Sequence, residues 1–218
     1  MAELEVNAAN AFRRYDESPD ERFYELPRLV THIDDAAIAA VTQLYREYFS
    51  ADGVILDLMS SWVSHLPPEV TYRRVVGLGM SPEELAANPR LDEWLVQDLN
   101  RDPTLPFADG EFNGAGICVS IQYLTRPVDV LREVGRVLRP GAQLVVTFSN
   151  RCFPTKAVLI WQALDDAGHA ALVRRYFEWA GNWENVESLD RSPAGSDPLY
   201  AVVARSRVAH DGEAGELR

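Results

Sequence analysis

Apolar residues recur at helical intervals in one early segment, IDDAAIAAVTQLYREYF (33–49). Its apolar positions repeat every three or four residues, which predicts an amphipathic helix with one buried face. Asp34 and Asp35 stand at the start of the segment, where carboxylates stabilise the N-terminus of a helix. The pattern therefore predicts a long helix that precedes the first strand.

Short continuous apolar runs follow, and such runs are typical of strands that are buried on both faces. Five of them lie between positions 53 and 148: GVILDL (53–58), RRVVGLG (73–79), EWLVQDL (93–99), GAGICVSIQYL (114–124) and AQLVVTF (142–148). Between the last two, RPVDVLREVGRVLRPG is the clearest helical pattern in the chain. Pro127 suits its first turn, and Pro140 with Gly141 is expected to end it.

A helical region near 155–180 precedes the last two apolar runs, WENVESL (183–189) and PLYAVVAR (198–205). No helix fits between these runs, so they should pair as an antiparallel hairpin. Strands that alternate with helices favour a parallel sheet covered on both faces. We therefore predict an α/β, Rossmann-like fold with a seven-stranded, mostly parallel sheet. Its C-terminal strand should be antiparallel beside the fifth.

The length, net charge and cysteine content of the chain disfavour several classes of function. The 218 residues suit one compact domain, and the net charge of −12 disfavours nucleic acid as a partner. Two cysteines are too few for a disulfide framework or a cysteine-based zinc site, and no metal site is expected. No apolar run approaches the ~20 residues of a membrane-spanning helix, and no signal core opens the chain. We expect a cytoplasmic protein that binds a small molecule and no membrane.

The segment LREVGRVLRPGAQLVVTFSN (131–150) resembles the class I S-adenosylmethionine-dependent methyltransferases of the small-molecule type. RRVVGLGMSPEEL (73–85) is similar to the second strand and turn of that family. QDLNRDPTLPFADGEFNGAGICVS (97–120) is similar to its third strand, adenine loop and fourth strand. The resemblance implies S-adenosylmethionine as the cofactor and methyl transfer to a small-molecule acceptor. It also implies an N-terminal helical lid segment (1–50) and a methyltransferase-like domain (51–206); the polar residues 207–218 are predicted to be a disordered tail.

The first departure from the family follows strand one. Asp57 falls where the family has its strand-ending acid, but the glycine-rich turn is replaced by Met59, Ser60, Ser61, Trp62 and Val63. One interpretation is a cofactor loop, in which the serine hydroxyls bind the cofactor carboxylate and Trp62 covers the site. The other is a tight turn with N-capping serines and a core tryptophan.

The second departure is Gly79, which stands where the family has an acid that bonds both ribose hydroxyls. Loss of that acceptor removes about 1.5–3 kcal/mol of contact unless another group replaces it. Met80 remains able to cover one face of the adenine. Further along, Asp98 and Leu99 match the family positions that meet the adenine amino group and ring nitrogen, although Asp98 also suits a loop-capping role. Ser120, at the end of the fourth run, completes the predicted cofactor set.

No motif identifies a catalytic group, because methyl transfer from a sulfonium is a direct displacement. A general base is needed only when the acceptor must lose a proton. The catalytic candidates are His65, Tyr123 and Asn150. The substrate-binding candidates, chosen by position near strand ends or in the lid segment, are Arg28, His32, Gln122, Tyr123, Asn150, Arg151 and Lys156. For each of them, a solvated or structural role is the competing interpretation.

Two functions remain open from the residues. The first is a methyltransferase that acts on a small molecule. The alternative is a non-catalytic, methyltransferase-like binding or regulatory protein whose cofactor site has drifted, as the missing glycines and the missing acid suggest. A nicotinamide-dependent oxidoreductase is less favoured, since it needs the same glycine-rich turn and acid. The acceptor and the oligomeric state are not encoded in any motif of the chain.

Overall fold

A computed structural model describes residues 7–207 of the chain. From position 208 onward, the predicted tail lies outside the described residues. Among the residues that are described, no helix is long and apolar enough to cross a membrane.

The core of the fold is a seven-stranded sheet with the order β3-β2-β1-β4-β5-β7-β6. Its strands are β1 Val54–Ser60, β2 Arg74–Gly79, β3 Glu93–Val96, β4 Phe112–Cys118, β5 Leu138–Phe148, β6 Trp183–Asp190 and β7 Tyr200–Ser206. Strands β1 to β5 are mutually parallel, and β7 is antiparallel to both β5 and β6. The predicted topology, including the antiparallel final strand beside the fifth, is confirmed.

Helices cover both faces of this sheet. They are α1 Asp20–Phe23, α2 Asp35–Tyr48, α3 Pro82–Ala87, α4 Pro127–Val137, α5 Leu159–Gln162 and α6 Asp166–Ala180, with a 3₁₀ turn at Ile121–Tyr123. The side chain of Asp34 accepts a hydrogen bond from the Ala37 N–H at 2.9 Å, which caps α2 as its sequence predicts. On one face α4 and α6 pack in the larger core, and on the other α2 packs in a smaller one.

Alternation along β1 distributes its side chains between these two cores. Leu56 and Leu58 are fully buried in the core formed with α4 and α6, whereas Ile55 joins the core formed with α2. Burial of a leucine side chain contributes roughly 1.5–3 kcal/mol, so β1 is anchored from both sides. The strand end that carries Asp57 and Ser60 is therefore held in a fixed position.

The largest differences from the predicted boundaries lie in the fourth and fifth strands. The fourth run was predicted as strand to 124, but β4 ends at Cys118 because Val119 adopts a left-handed conformation with φ of 48°. The fifth strand begins at Leu138, directly after α4, rather than after the proline and glycine pair. Gly141, with φ of 81°, lies within a stretch where the register between β4 and β5 shifts.

The connection from β1 to β2 contains no helix: residues 61–73 are irregular. Instead, β1 continues past Leu58 through a register shift at Met59, whose φ is 56°. Ser60 then pairs with Gly79 at the end of β2. A Cβ atom on Gly79 would overlap the carbonyl oxygen of Ser60, so glycine is required by the close approach of the two strands.

We predict that Gly79→Ala lowers the free energy of unfolding by about 1–3 kcal/mol more than Gly77→Ala does. At Gly77 an added methyl group meets the flexible tip of the Leu91 side chain, but at Gly79 it meets the backbone of Ser60. Urea denaturation of the two variants provides the comparison. Equal losses of stability would contradict the close approach as the reason for glycine at position 79.

Candidate functional site

The main pocket lies at the C-terminal ends of β1, β2 and β4 and beside the loop that follows β3. It has an empty volume of about 610 Å³. The order of the strands reverses between β1 and β4, which is where open α/β sheets bind their ligands. Seven of the ten predicted cofactor residues line this pocket: Met59, Ser60, Gly79, Met80, Asp98, Leu99 and Ser120.

Asp98 has the loop-capping role that its sequence position suggested, and it also lines the main pocket. Its Oδ1 accepts hydrogen bonds from the backbone N–H groups of Asn100 and Arg101, at 2.9 and 3.4 Å, and so caps its own loop. Those bonds do not engage Oδ2, and the residue also lines the main pocket. Burial raises the pKa of the Asp98 carboxyl. The side chain is therefore fixed by one oxygen and still adjoins the pocket.

An irregular N-terminal segment covers the main pocket, and residues 7–34 are helical only at α1. Its backbone bonds to the connection after β5. Asp16 donates to the Thr155 carbonyl at 2.9 Å, and the Leu159 N–H donates to the Arg13 carbonyl at 2.8 Å. The long helix α2, also within the predicted helical lid segment, instead packs in the core on the sheet face. Phe23 and Tyr24 bring the covering segment into the pocket wall.

A buried ionic cluster holds this cover in place. One guanidinium nitrogen of Arg14 lies 2.8 Å from both carboxylate oxygens of Asp20, and Lys156 Nζ lies 3.2 Å from Asp20 Oδ1. Asn100 donates to Asp20 Oδ2 at 3.0 Å. Burial opposes ionisation of Asp20, but the hydrogen bonds from Arg14 and Asn100 outweigh it and lower the pKa of Asp20. Of these four residues, only Lys156 was predicted from the sequence.

Aromatic rings form the wall opposite the adenine loop. Phe153 packs edge-on against Phe23 at 5.0 Å, and its N–H donates to the Tyr123 hydroxyl at 3.0 Å. The Arg28 guanidinium lies over the Phe23 ring at 3.9 Å. Arg28 was predicted to contact ligand, but it is not among the residues that line the main pocket. In this structure it supports the aromatic wall from behind.

A second pocket, with an empty volume of about 500 Å³, adjoins the main one. Met59 and Ser60 line both pockets. The second pocket also receives five predicted residues that do not line the main pocket: His32, Asp57, Ser61, Trp62 and His65. The sequence had assigned these residues to cofactor, substrate and catalysis separately, and the structure places them around one cavity.

The two serines of the first loop are already engaged by protein carboxylates. Ser60 Oγ donates to Asp57 Oδ2 at 2.5 Å, and Ser61 Oγ donates to Glu84 Oε2 at 2.6 Å. Their hydroxyl protons therefore do not point at a ligand carboxylate, which corrects the predicted hydroxyl contacts. The competing interpretation as helix caps is also wrong, because no helix follows. Trp62 is only half-buried, and its indole N–H donates to the Val30 carbonyl at 3.0 Å.

Three further predicted residues lie outside both pockets. Gln122 is buried, and its side chain donates to the Val119 carbonyl at 2.9 Å. Arg151 is exposed and forms an ion pair with Asp197 at 2.7 Å, while Asn150 is exposed. In contrast, Tyr123 and Lys156 line the main pocket. Of the polar residues in the loop after β5, Lys156 alone lines the main pocket, together with Phe153 of the same loop.

Asp57 carries the most unusual electrostatics of the second pocket. Burial raises the pKa of its carboxyl to about 6, although hydrogen bonds from Ser60 and Ser64 act in the opposite direction. Burial also lowers the pKa of His65. Within residues 7–207, no group of three or more histidine, cysteine, aspartate or glutamate side chains is placed to hold a metal ion.

Residues 56–146 match a family model described as a methyltransferase domain. A segment of 96 residues, 44% of this chain, is 38% identical to the ubiquinone/menaquinone biosynthesis C-methyltransferase UbiE of Dinoroseobacter shibae. It spans 32% of that relative. A 68-residue segment is 40% identical to the UbiE of Roseobacter denitrificans and spans 26% of it. The chain thus spans about a third or less of the curated relatives that it matches.

Solved structures share the fold at low sequence identity. The [4+2]-cyclase SpnF has a TM-score of 0.61 at 18% identity, with 84% of this chain and 89% of that chain covered. Phosphoethanolamine N-methyltransferase 2 of Haemonchus contortus, in complex with S-adenosyl-L-methionine, has a TM-score of 0.55 at 12% identity. The match covers 78% of this chain and 52% of that one. These two similarities concern the fold alone.

We predict that Asp57→Asn raises the melting temperature at pH 8 and changes it little at pH 4. The raised pKa of Asp57 means that the folded protein binds this proton more tightly than the unfolded chain does. The contribution of Asp57 to the free energy of unfolding therefore falls as the pH rises from about 4 to about 6. The fall is at most about 3 kcal/mol, and the contribution stays lower above that range. The asparagine variant avoids this loss.

Calorimetry at the two pH values measures the effect, with the exposed Asp35→Asn as the matched control. A variant that melts below the parent protein at both pH values would show that hydrogen bonds to the Asp57 carboxylate outweigh the cost of its burial.

Proposed function

We propose that the protein transfers a methyl group from S-adenosylmethionine to a small-molecule acceptor, because residues 56–146 match a family model described as a methyltransferase domain. The single observation that carries the proposal is the convergence of seven sequence-matched cofactor positions on the main pocket, at the reversal of strand order.

The residues of the main pocket fit the cofactor on a separate ground. Ser120 lines the pocket, and its buried hydroxyl has no hydrogen-bond partner within the described structure. A buried polar group of this kind is costly unless a ligand or water satisfies it. Asp98 and Leu99 would hold the adenine, and Met80 would cover one of its faces. Ser120 would meet the part of the cofactor that crosses the end of β4.

The ribose would need an acceptor other than the acid that the family has at the end of β2. The carbonyl oxygen of Ser60 lies where the side chain of such an acid would begin, next to Gly79. A backbone carbonyl accepts hydrogen bonds from hydroxyl groups without carrying a full charge. We infer that Ser60 offers one neutral acceptor in place of a carboxylate, which predicts weaker binding of the ribose.

When bound, S-adenosylmethionine supplies an electrophilic methyl group on a positively charged sulfur. The chain contributes position and exclusion of water, since the N-terminal segment covers the pocket. Phe23, Tyr24, Tyr123 and Phe153 surround the covered side. Aromatic faces attract cations, so this wall would favour the charged sulfonium over the neutral thioether that remains after transfer.

The second candidate is a non-catalytic protein that kept the fold and binds a nucleoside-like ligand. It is favoured by the extension of β1 through Ser60 and by the absence of a helix after it. Those features remove the helix N-terminus that would meet the carboxylate of the cofactor's amino-acid end. The two functions differ in their ligand: the methyltransferase must bind both S-adenosylmethionine and its product S-adenosylhomocysteine.

We predict that Asp98→Ala weakens the binding of S-adenosylhomocysteine at least tenfold, whereas Glu83→Ala leaves it nearly unchanged. Loss of a charged hydrogen-bond acceptor costs about 1.5–3 kcal/mol. Glu83 is a matched acid that lies exposed in the first turn of α3 and does not line the main pocket. Isothermal titration calorimetry of the parent protein and both variants tests the proposal.

Two outcomes would count against the proposal in different ways. Equal affinities of the two variants would remove the adenine assignment of Asp98. Absence of binding to the parent protein, for both S-adenosylmethionine and S-adenosylhomocysteine, would favour the non-catalytic candidate.

A further inference from the structure

We propose that the second pocket is the acceptor chamber, that it takes an uncharged phenol, and that Asp57 is the catalytic base that removes the phenolic proton. The inference rests on the proposed function, because it needs S-adenosylmethionine in the adjoining main pocket. The two pockets share Met59 and Ser60 as a common wall. A ring in the second pocket would therefore lie next to a cofactor in the first.

Backbone strain is concentrated around this chamber. Five non-glycine residues among the described ones have a positive φ, and three of them line the second pocket: Met59, His65 and Val119. A β-branched residue such as Val119 rarely adopts this conformation. Such strained positions cluster at functional sites, where the surrounding structure maintains them. They come here from three different segments, so one tight turn does not account for them.

The lining of the chamber suits a flat apolar ring. Trp62 is fixed by its bond to the Val30 carbonyl, and Ile33, Val63 and Val119 complete the apolar surface. The polar residues of the lining are Thr31, His32, Asp57, Ser60, Ser61 and His65, and the two serines already donate to Asp57 and Glu84. Apolar surface combined with polar groups that fix the orientation of a ligand is typical of a small-molecule site. The ionised carboxylate of Asp57 would repel an anionic acceptor.

Asp57 is oriented as a base requires. Its Oδ2 accepts hydrogen bonds from the hydroxyls of Ser60 and Ser64, at 2.5 and 2.6 Å, and Asn88 in turn donates to Ser64 Oγ at 2.8 Å. The two serine bonds converge on one carboxylate oxygen and leave Oδ1 unengaged by them. The residue itself lines the chamber. One oxygen thus fixes the carboxylate, and the other is available to a proton.

The ionisation of the surroundings agrees with this role. The pKa of Asp57 is raised to about 6, so the carboxylate is ionised at neutral pH. General bases are most effective when their pKa lies close to the working pH, and that of Asp57 does. Burial raises the pKa of Tyr45 from α2, and that of Cys118 from β4 to about 12, so both are neutral. Burial lowers the pKa of His32 and of His65, which both line the chamber. Glu84 accepts a hydrogen bond from Ser61, another lining residue.

A catalytic base is useful only for an acceptor that must lose a proton, and this indicates the chemical class of the acceptor. A phenol is acidic enough for a carboxylate to assist its ionisation, whereas a neutral amine needs no base to attack. In the transfer, an oxygen lone pair forms the new bond to the methyl carbon of S-adenosylmethionine. The carbon–sulfur bond breaks with its electron pair remaining on sulfur, which gives S-adenosylhomocysteine. The phenolic proton moves to Asp57, and water takes it up after the product leaves.

The competing role for Asp57 is to bind the ammonium group of the cofactor's amino-acid end. Two ligands separate these roles: S-adenosylhomocysteine, which has that end, and 5′-methylthioadenosine, which lacks it. We expect Asp57→Asn to change the affinity for each of them less than twofold. A loss of tenfold or more for S-adenosylhomocysteine alone would assign Asp57 to the cofactor and overturn the inference. Failure of the parent protein to bind S-adenosylhomocysteine would instead overturn the proposed function.

The positive test uses 4-nitrophenol, whose absorbance reports its own ionisation, with protein saturated by S-adenosylhomocysteine. The ionised Asp57 should accept a hydrogen bond from the neutral phenol, so the bound probe should ionise at higher pH than the free one. Asp57→Asn should remove that shift while the probe still binds. If Asp57 had only a structural role, the absorbance of the bound probe would be the same in the parent protein and in the variant. That result would contradict the proposal.

Trp62→Ala tests the chamber independently of Asp57. We expect it to weaken 4-nitrophenol binding at least fivefold, because the indole forms one wall of the pocket. Trp94→Ala, at an exposed tryptophan on the edge strand β3, is the matched control and should leave the affinity unchanged. Equal affinities for the probe in both variants, or no binding to the parent protein, would overturn the assignment of the second pocket.

Discussion

The contact between the Ser60 carbonyl and Gly79 determines the shape of the ligand-binding edge. Because β1 continues over the end of β2, there is no room there for a side chain, and an acid at position 79 is excluded. The same extension uses the residues that would otherwise form a glycine-rich turn, and no helix follows it. The two departures from the family that the sequence displays separately are thus one structural change.

That change alters where a ligand can be held. The loop after β3 and the end of β4 line the main pocket, and the end of β1, at Met59 and Ser60, lies between two adjoining pockets. The cover over the larger pocket depends on Asp20, which joins Arg14, Asn100 and Lys156 from three different parts of the chain. Removal of one partner from such a buried cluster leaves an uncompensated charge, which is strongly destabilising.

Periodicity and family resemblance predicted the seven-stranded, mostly parallel sheet, the helices on both of its faces and half of the residues that line the main pocket, because those follow from local patterns. The end of β4 was missed because the hydropathy pattern does not indicate that Val119 has a left-handed backbone conformation. Arg14 and Asp20 were missed because their cluster includes Lys156, which lies 136 positions after Asp20 in the chain. The serines were assigned to a ligand because hydropathy does not show that the fold brings Glu84 of α3 against Ser61 and directs Asp57 of β1 toward Ser60.

The attachment of the N-terminal segment to the connection after β5 has a consequence for folding. Backbone bonds join Ala11 to Ile160 and Arg13 to Leu159, so the first described residues pair with partners that are synthesised about 145 residues later. Contacts of such sequence separation form slowly because closing the intervening loop costs entropy. On the ribosome, the first strands can assemble early. The cover over the main pocket therefore cannot be complete until Leu159 and Ile160 have been synthesised.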